Sequence, residues 1–525
     1  MFLVVLTTIS LCAVNTQPVN SQSVGIIKIL SDGSIYTSTN VTVPIQRAGN
    51  IYTFTDNIVG YYLVVQSDNI VVDGAGYSLA GQGERGVDLS YRNNVTIKNL
   101  QIGSNLYGIY LYGASKNTIS GNNVTNNGVG INIMSSSKNI LRDNKMNNER
   151  NLAVYGTEAS HFDNDIDNSN TVNGKKVYYL ISESNLVINS ITFPDAGYLA
   201  LVNCQNITVH HLELTGNGHG ILLAYTTDST IYKNQITDNY FGIGLFASSG
   251  NDIITNNITD NDSGIRFSNA SKFNGISTNI ITNNTEGIFL SNSFQNTFVL
   301  NNITNNDIGI SLKESSYNMI RSNYFINNER QVYDVSMEDY SVTASTNTWG
   351  VGYHAGGNYW SDYTGVDVKS GENQNQTGSD GLGDTPYIID QNNRDSFPLM
   401  PYGSPLAISI VSPENKTYTV NSVSLRFTVS ETTSWIKYSL DEQANVTITE
   451  DITLSDLSDG VHSITVYAQD TDGQTGTSET IYFTIAEGAE TPQSESFPIT
   501  WIAAIIVVVA IVGVALLYFL KIKKK

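Results

Sequence analysis

The chain has two cysteines in 525 residues, Cys12 and Cys204. Cys12 lies in an apolar segment expected to be removed, so no intramolecular disulfide is available to hold the fold together. Charge is scarce as well: Asp, Glu, Lys and Arg make up 14% of the chain, against about 25% in ordinary globular proteins. What charge exists is one-sided, with 48 acidic against 27 basic residues and a net charge of −21. Such a surface excludes nucleic acid and anionic lipid as partners and is compatible with cations. The polar load falls on neutral Asn, Ser and Thr. With 40% hydrophobic residues and 30 Tyr there is ample material for a core, so the composition is that of a folded repeat and not of a disordered acidic chain.

The two ends are apolar. Residues 1–22, with "FLVVLTTISLCA", have the length of a signal peptide but lack a basic start. Residues 499–520, "ITWIAAIIVVVAIVGVALLYFL", are 22 residues without a charge, enough for a helical span of roughly 33 Å. They are followed by the basic tail "KIKKK" at 521–525 and preceded by an acidic linker at 488–498. By the positive-inside rule the tail is cytoplasmic, and the expectation is a single-pass, membrane-anchored protein with its bulk outside the cell.

Between these ends a phrase recurs. Counting from the glycine of each "GI", copies begin at Gly108, Gly130, Gly220, Gly242, Gly264, Gly287 and Gly309, spaced by 22 residues within each block except for one step of 23. Apolar residues fall at +1, +3, +11 and +16, as in Ile288, Leu290, Phe298 and Ile303. Asn stands at +14 (Asn122, Asn144, Asn234, Asn256, Asn301, Asn323) and at +9 (Asn117, Asn139, Asn251, Asn296, Asn318, with Ser229 in place of one). Alternating pairs separated by short polar turns describe short strands. A fixed period of this length describes a solenoid whose rungs bury their apolar sides only against one another. The Asn columns are expected to form ladders at the corners, where Asn also tolerates the left-handed backbone. The extra residue of the long step falls between Phe267 and Asn274, in a turn. The stretch 170–185 breaks the repeat, and one solenoid with a cap at each end is expected over 23–402.

Taken with "DNIVVDGAGYSL", "NTVNGKKVYYL", "GGNYWSDYTG" and "DGLGDTPYIID", these rungs resemble the NosD-like family of right-handed parallel β-helices. The resemblance implies the fold shared by carbohydrate-binding and sugar-hydrolase β-helices and pectate lyases. It also brings the role of an accessory factor in metalloenzyme maturation, which a fold does not carry by itself. Residues 406–487 change character. Their alternating segments "SLRFTVS", "SWIKYSLD" and "HSITVYAQD" suggest a β-sandwich similar to the Ig-like modules of surface proteins.

Candidate chemistry is thin. The outward positions +2 (Tyr110, Asn132, Leu222, Gly244, Arg266, Phe289, Ser311) and +4 (Tyr112, Met134, Ala224, Phe246, Ser268, Ser291, Lys313) hold no carboxylate, whereas lyase and glycosidase chemistry needs one or two. Asp238 and Asp260 share +18 in neighbouring rungs, with Asp262 and Asp307 at +20. Stacked acids of this kind share a cation, raise one another's pKa, or replace Asn in a turn. His210 and His211 are adjacent and His219 lies at another corner, too dispersed for a transition metal. In the cap, Asp362, Asp380, Asp384 and Asp390 are interleaved with Gly, a composition suited to a structural Ca2+ or simply to turns. Trp349, Tyr359 and Trp360 are expected to cover the open end of the core. Asn40, Asn415 and Asn445 head glycosylation sequons. The reading favoured by the sequence is a non-catalytic cell-surface β-helix that binds or organises polysaccharide. A polysaccharide lyase or hydrolase, and a maturation factor of the NosD type, are the alternatives.

Overall fold

The computed structural model describes residues 24–400, 406, 408–429, 432–470 and 475–486. The expected signal peptide with Cys12, the linker, the membrane helix and the basic tail lie outside the described residues. Among the described residues no helix is long and apolar enough to cross a membrane.

Residues up to 400 form one compact unit, an all-β parallel solenoid of about 22 residues per turn, interrupted among the described residues by two short 3-10 turns. Each full rung contributes one six-residue strand and two of three residues, as in Glu286–Ser291, Thr297–Val299 and Asn302–Thr304. The inward residues Ile288, Leu290, Phe298 and Ile303 are buried, and each pairs with its counterpart one rung on. Each such rung thus adds a layer to an apolar core. The 23-residue copy carries its extra residue in the turn after Ser263–Ser268, where Asn269 and Ala270 adopt positive φ.

The recurring glycine has a steric cause. A Cβ at Gly287 would lie 2.7 Å from the carbonyl oxygen of Gly309, and one at Gly309 would lie 2.6 Å from that of Gln331. The rungs from Gly86 to Gly130 and from Gly220 to Gly309 therefore have no space for a side chain at that position. Both stacks end where the glycine is replaced, at Asn151 and at Gln331, in the last strands of their sheets.

Asn side chains satisfy the corners. Asn301 donates from Nδ2 to the Ile276 carbonyl at 2.8 Å and to Asn323 Oδ1 at 2.9 Å, and that Oδ1 also accepts the Asn301 backbone N–H at 3.0 Å. The +9 column bonds in the same way, as Asn296 does to Asn318. A third column, Asn239, Asn261, Asn284, Asn306 and Asn328, does the same at the remaining corner. The Asn columns thus pair turn backbone that would otherwise be buried unsatisfied.

The solenoid is not one uninterrupted stack. At residues 171–181 the chain reverses: Thr171–Val172 pairs antiparallel with Lys175–Ile181. Two seven-stranded sheets end before this point, and two others begin after it. One fourteen-stranded sheet continues through the reversal, from Ile58–Val59 to Arg330–Asp334. We call it the bridging sheet. It serves an N-terminal and a C-terminal stack with separate cores, and its two faces exchange roles between them. Leu223 packs inside the C-terminal stack, whereas its neighbour Leu222 packs with Val154 and Phe162 of the N-terminal stack. Alternating residues that are apolar on both sides give these strands two interiors within the one solenoid.

Residues 335–400 close the far end. Trp360 stacks on Phe325 and Tyr387 at ring distances of 4.4 and 4.3 Å, and Trp349 lies 5.8 Å from Trp360. The buried Asp395 carboxylate accepts the Trp360 indole N–H at 3.0 Å and the Asn358 backbone N–H at 2.6 Å.

The second unit has two sheets around one apolar core that includes Leu425, Ile464, Val466 and Phe483. One sheet holds Ile408–Ser412, Val423–Val429 and Ile452–Leu454, and the other is built on Gly460–Asp470.

Candidate functional site

Strand Arg150–Tyr155 is the last of the seven-stranded sheet that also contains Tyr107–Tyr112, here called the Tyr107 sheet. Its edge sits on the outward face of the bridging sheet. Leu152 O accepts the Gly218 backbone N–H at 2.9 Å, and Asn151 N–H donates to Gly216 O at 2.8 Å. Gly218 is required at this crossing, since a Cβ there would lie 2.5 Å from that of Ala153. Tyr155 packs against His219 and Phe241 at ring distances of 5.0 and 5.9 Å, and Phe162 against Phe246 at 5.4 Å. An edge planted on a face leaves a re-entrant corner, with the outward side of the Tyr107 sheet as one wall and that of the bridging sheet as the other.

Three arginines and five carboxylates meet there. Arg85 pairs with Asp88 at 2.7 Å and with Glu84 at 3.3 Å, and its guanidinium lies 4.2 Å from the Tyr110 ring centre. Arg150, next to Glu149, reaches Asp262 of the other stack at 3.5 Å. The Arg266 guanidinium is held between the rings of Phe241 and Phe289, 4.6 and 4.2 Å from their centres. Glu286 lies in the field of Arg266 and beside the Ser311 hydroxyl. Burial pushes the carboxyls of Glu286 and Asp262 above their ordinary range, against the pull of Arg266 and Arg150 respectively. Between the charges lie tyrosines. Tyr107 and Tyr110 are 5.1 Å apart, and Tyr240 lies within the electrostatic reach of Tyr107, Arg266, Asp262 and Glu286.

At the back of the corner His219 is fully buried, and neither ring nitrogen has a hydrogen-bond partner. Burial, with Arg266 nearby, pushes its pKa down to about 3. Its ring occupies the space above Gly244, where a Cβ would meet it at 2.7 Å.

Of the acids singled out in the sequence, only Asp262 belongs to this corner. Asp238 and Asp260 are exposed turn residues with φ of 53° and 57°, and Asp307 is exposed. The cap acids are used separately. Asp362 accepts the Tyr387 hydroxyl at 3.0 Å, Asp380 the Gly371 N–H at 3.1 Å, Asp384 the Lys369 N–H at 3.0 Å, and Asp390 the Asn393 N–H at 2.8 Å. Among the described residues no three His, Cys, Asp or Glu side chains converge on a metal-sized point. Asn40, Asn415 and Asn445 are exposed.

Two outward positions were misjudged from the pattern. The register begins one rung earlier than Gly108, at Gly86, which puts Asp88 into the +2 column. The column at −1, holding His219, Phe241, Ser263 and Glu286, also faces outward into the corner. Extending the 22-residue count upstream would have found Asp88. Arg266 and Glu286 take their setting from adjacent rungs, whereas Asp262 takes its partner Arg150 from a strand more than a hundred residues away.

The sequence model of the family described as "Periplasmic copper-binding protein (NosD)" matches residues 35–176 and 162–365. No curated protein matches the chain. Solved structures with which it aligns include the A-module of a mannuronan C-5 epimerase from Azotobacter vinelandii, at 13% identity over 54% of this chain and 84% of that one, with a TM-score of 0.21. An alginate lyase from Paenibacillus sp. aligns at 11% identity over 55% and 98%, with a TM-score of 0.20. The Dettilon tailspike protein aligns at 15% identity over 80% and 82%, with a TM-score of 0.20. Likenesses this distant carry no weight for activity.

The residues that could ligate copper lie apart, save for one adjacent pair. His210 and His211 touch through their Nδ1 atoms at 2.7 Å, and His210 stacks on Tyr232. The Cys204 thiol is buried against the carbonyls of Val202 and Leu180. His219 is surrounded by the rings of Tyr155, Phe241 and Phe246. Among the described residues none of these belongs to a group of three His, Cys, Asp or Glu side chains able to hold a metal ion, so they do not fit a copper site.

Proposed function

The chain belongs to the NosD family, whose model covers more than half of it, and from that premise we propose a single-pass cell-surface protein that binds polysaccharide without cleaving it. The observation that carries this reading is the corner between the stacks, where half-exposed tyrosines stand among arginine and carboxylate groups. Aromatic faces stack on the apolar C–H faces of sugar rings, and fixed charged pairs offer hydrogen bonds to hydroxyls. The uncharged run 499–520 before "KIKKK" supports an anchor with the solenoid outside. In this reading the second unit is an Ig-like spacer between solenoid and membrane. The exposed sequon residues Asn40, Asn415 and Asn445 are then glycosylation sites.

A second reading, glycan cleavage, is favoured by one observation. Asp262 and Glu286, both with raised pKa, sit on adjacent rungs, and the Glu286 backbone N–H bonds to Asp262 O at 2.8 Å. Two carboxyls so placed are the raw material of acid and base catalysis. A polysaccharide array probed with the detergent-solubilised full-length chain separates the readings. Retention without new reducing ends or unsaturated products is expected. Product release would replace binding by cleavage, and an empty array would refute both.

A further inference from the structure

The corner's charge balance selects among polysaccharides. Each of its arginines has acidic company: Arg85 has Asp88 and Glu84, Arg150 has Asp262, and Arg266 has the field of Glu286. A uronate or sulfated chain is recognised by a free guanidinium or ammonium that forms a bidentate pair with each acidic group. Here such a ligand would have to displace a resident carboxylate. It would also enter a corner with five acids against three arginines, on a chain of net charge −21, which adds long-range repulsion.

The groups left to a ligand suit an uncharged one. Tyr107 and Tyr240 are partly exposed and stand on opposite walls. Asp262 and Glu286 are partly exposed and able to accept hydroxyl hydrogen bonds. The Arg150 ion pair holds Asp262, and the Ser311 hydroxyl and the field of Arg266 steady Glu286, before a ligand arrives, which lowers the ordering cost of binding. Resting on the polysaccharide-binding reading, we propose that the corner takes a neutral polysaccharide, its sugar faces on Tyr107 and Tyr240 and its hydroxyls on Asp262 and Glu286.

The test is affinity electrophoresis of the full-length chain through gels containing dextran, soluble β-glucan or mannan, and in parallel through gels containing alginate or polygalacturonate. Retardation by at least one neutral polymer is expected, unchanged when salt is raised, because an uncharged ligand has no ionic attraction to screen. Tyr107→Ala and Tyr240→Ala should each weaken it by about tenfold, the worth of one stacked ring. Tyr107→Phe, which keeps the ring, should retain it, and so should Tyr317→Ala, which removes an exposed ring outside the corner. Preferential, salt-sensitive retardation by alginate or polygalacturonate would overturn the neutral-chain inference while leaving polysaccharide binding standing. Neutral retardation indifferent to both alanine changes would overturn the site. No retardation by any polymer would overturn the binding reading and this inference with it.

Discussion

In the N-terminal stack the outward positions Tyr107, Tyr110 and Met134 of the Tyr107 sheet remain partly exposed, whereas in the C-terminal stack the outward positions Leu222, Ala224 and Phe246 are buried. The two stacks use the same rung, with the same inward columns and the same Asn corners. They differ in what lies outside. The bridging sheet carries the end of the N-terminal stack on its outer face, so its +2 and +4 positions form a second interior. One rung on from Gly244 and Phe246 the same columns turn polar and partly exposed, at Arg266 and Ser268. The site therefore arises from the contact between stacks and not from any one rung.

The strongest test of this difference is a pair of adjacent substitutions. Leu222 and Leu223 point into different cores and both are fully buried, so Leu222→Ala and Leu223→Ala should each destabilise by about 2–5 kcal/mol in chemical denaturation. A near-neutral Leu222→Ala would return that face to solvent. Next in size is Asn256→Ala. It removes donors to Ile231 O and Asn279 Oδ1 and an acceptor for Asn234 N–H, so a loss of about 2–3 kcal/mol is expected from the buried groups left unpaired. By contrast, Asp260→Asn at an exposed corner should leave the denaturation midpoint unmoved, and a marked shift would give that acid a role beyond the turn.

His219 supplies a pH test of the contact. Its folded pKa of about 3 lies below the ordinary histidine value of 6.5, so below pH 6.5 the unfolded chain takes up a proton that the folded chain refuses. Stability from this group is complete above pH 6.5 and falls by about 1.4 kcal/mol per pH unit toward pH 3. Asp262 and Glu286 act in the opposite sense. Their raised folded pKa values impose a cost at neutral pH that is relieved as pH falls through them toward the unfolded values. His219→Phe should therefore flatten the decline in stability below pH 6.5, read as the midpoint against pH. An unchanged slope would mean that His219 is hydrated and outside the contact.

The inner architecture was legible in the sequence because each rung meets an identical neighbour. The columns of Ile288, Leu290, Phe298 and Ile303, and the Asn residues between them, report a repeated environment directly. The division into two stacks left a fainter mark, the loss of the period's glycine at Asn151 and Gln331, which has meaning only once that glycine is understood as space for the next rung's carbonyl. The corner left only isolated marks, Asp262 among the stacked acids and Arg266 in the +2 column, with nothing to join them. Arg150 and Asp262 meet through docking, and no spacing rule links residues on different stacks. A column that is outward for one stack is interior to the contact between stacks, and the apolar Leu222 and Phe246 in it are buried.

The contact between the stacks is tested most directly by a double-mutant cycle on Tyr155 and Phe241, whose rings lie 5.9 Å apart across it. Stabilities of the full-length chain, of Tyr155→Ala, of Phe241→Ala and of the double variant should give a coupling of about 1 kcal/mol, the worth of an edge-to-face pair. Strict additivity of the two substitutions would contradict the docking of the stacks, and with it the corner.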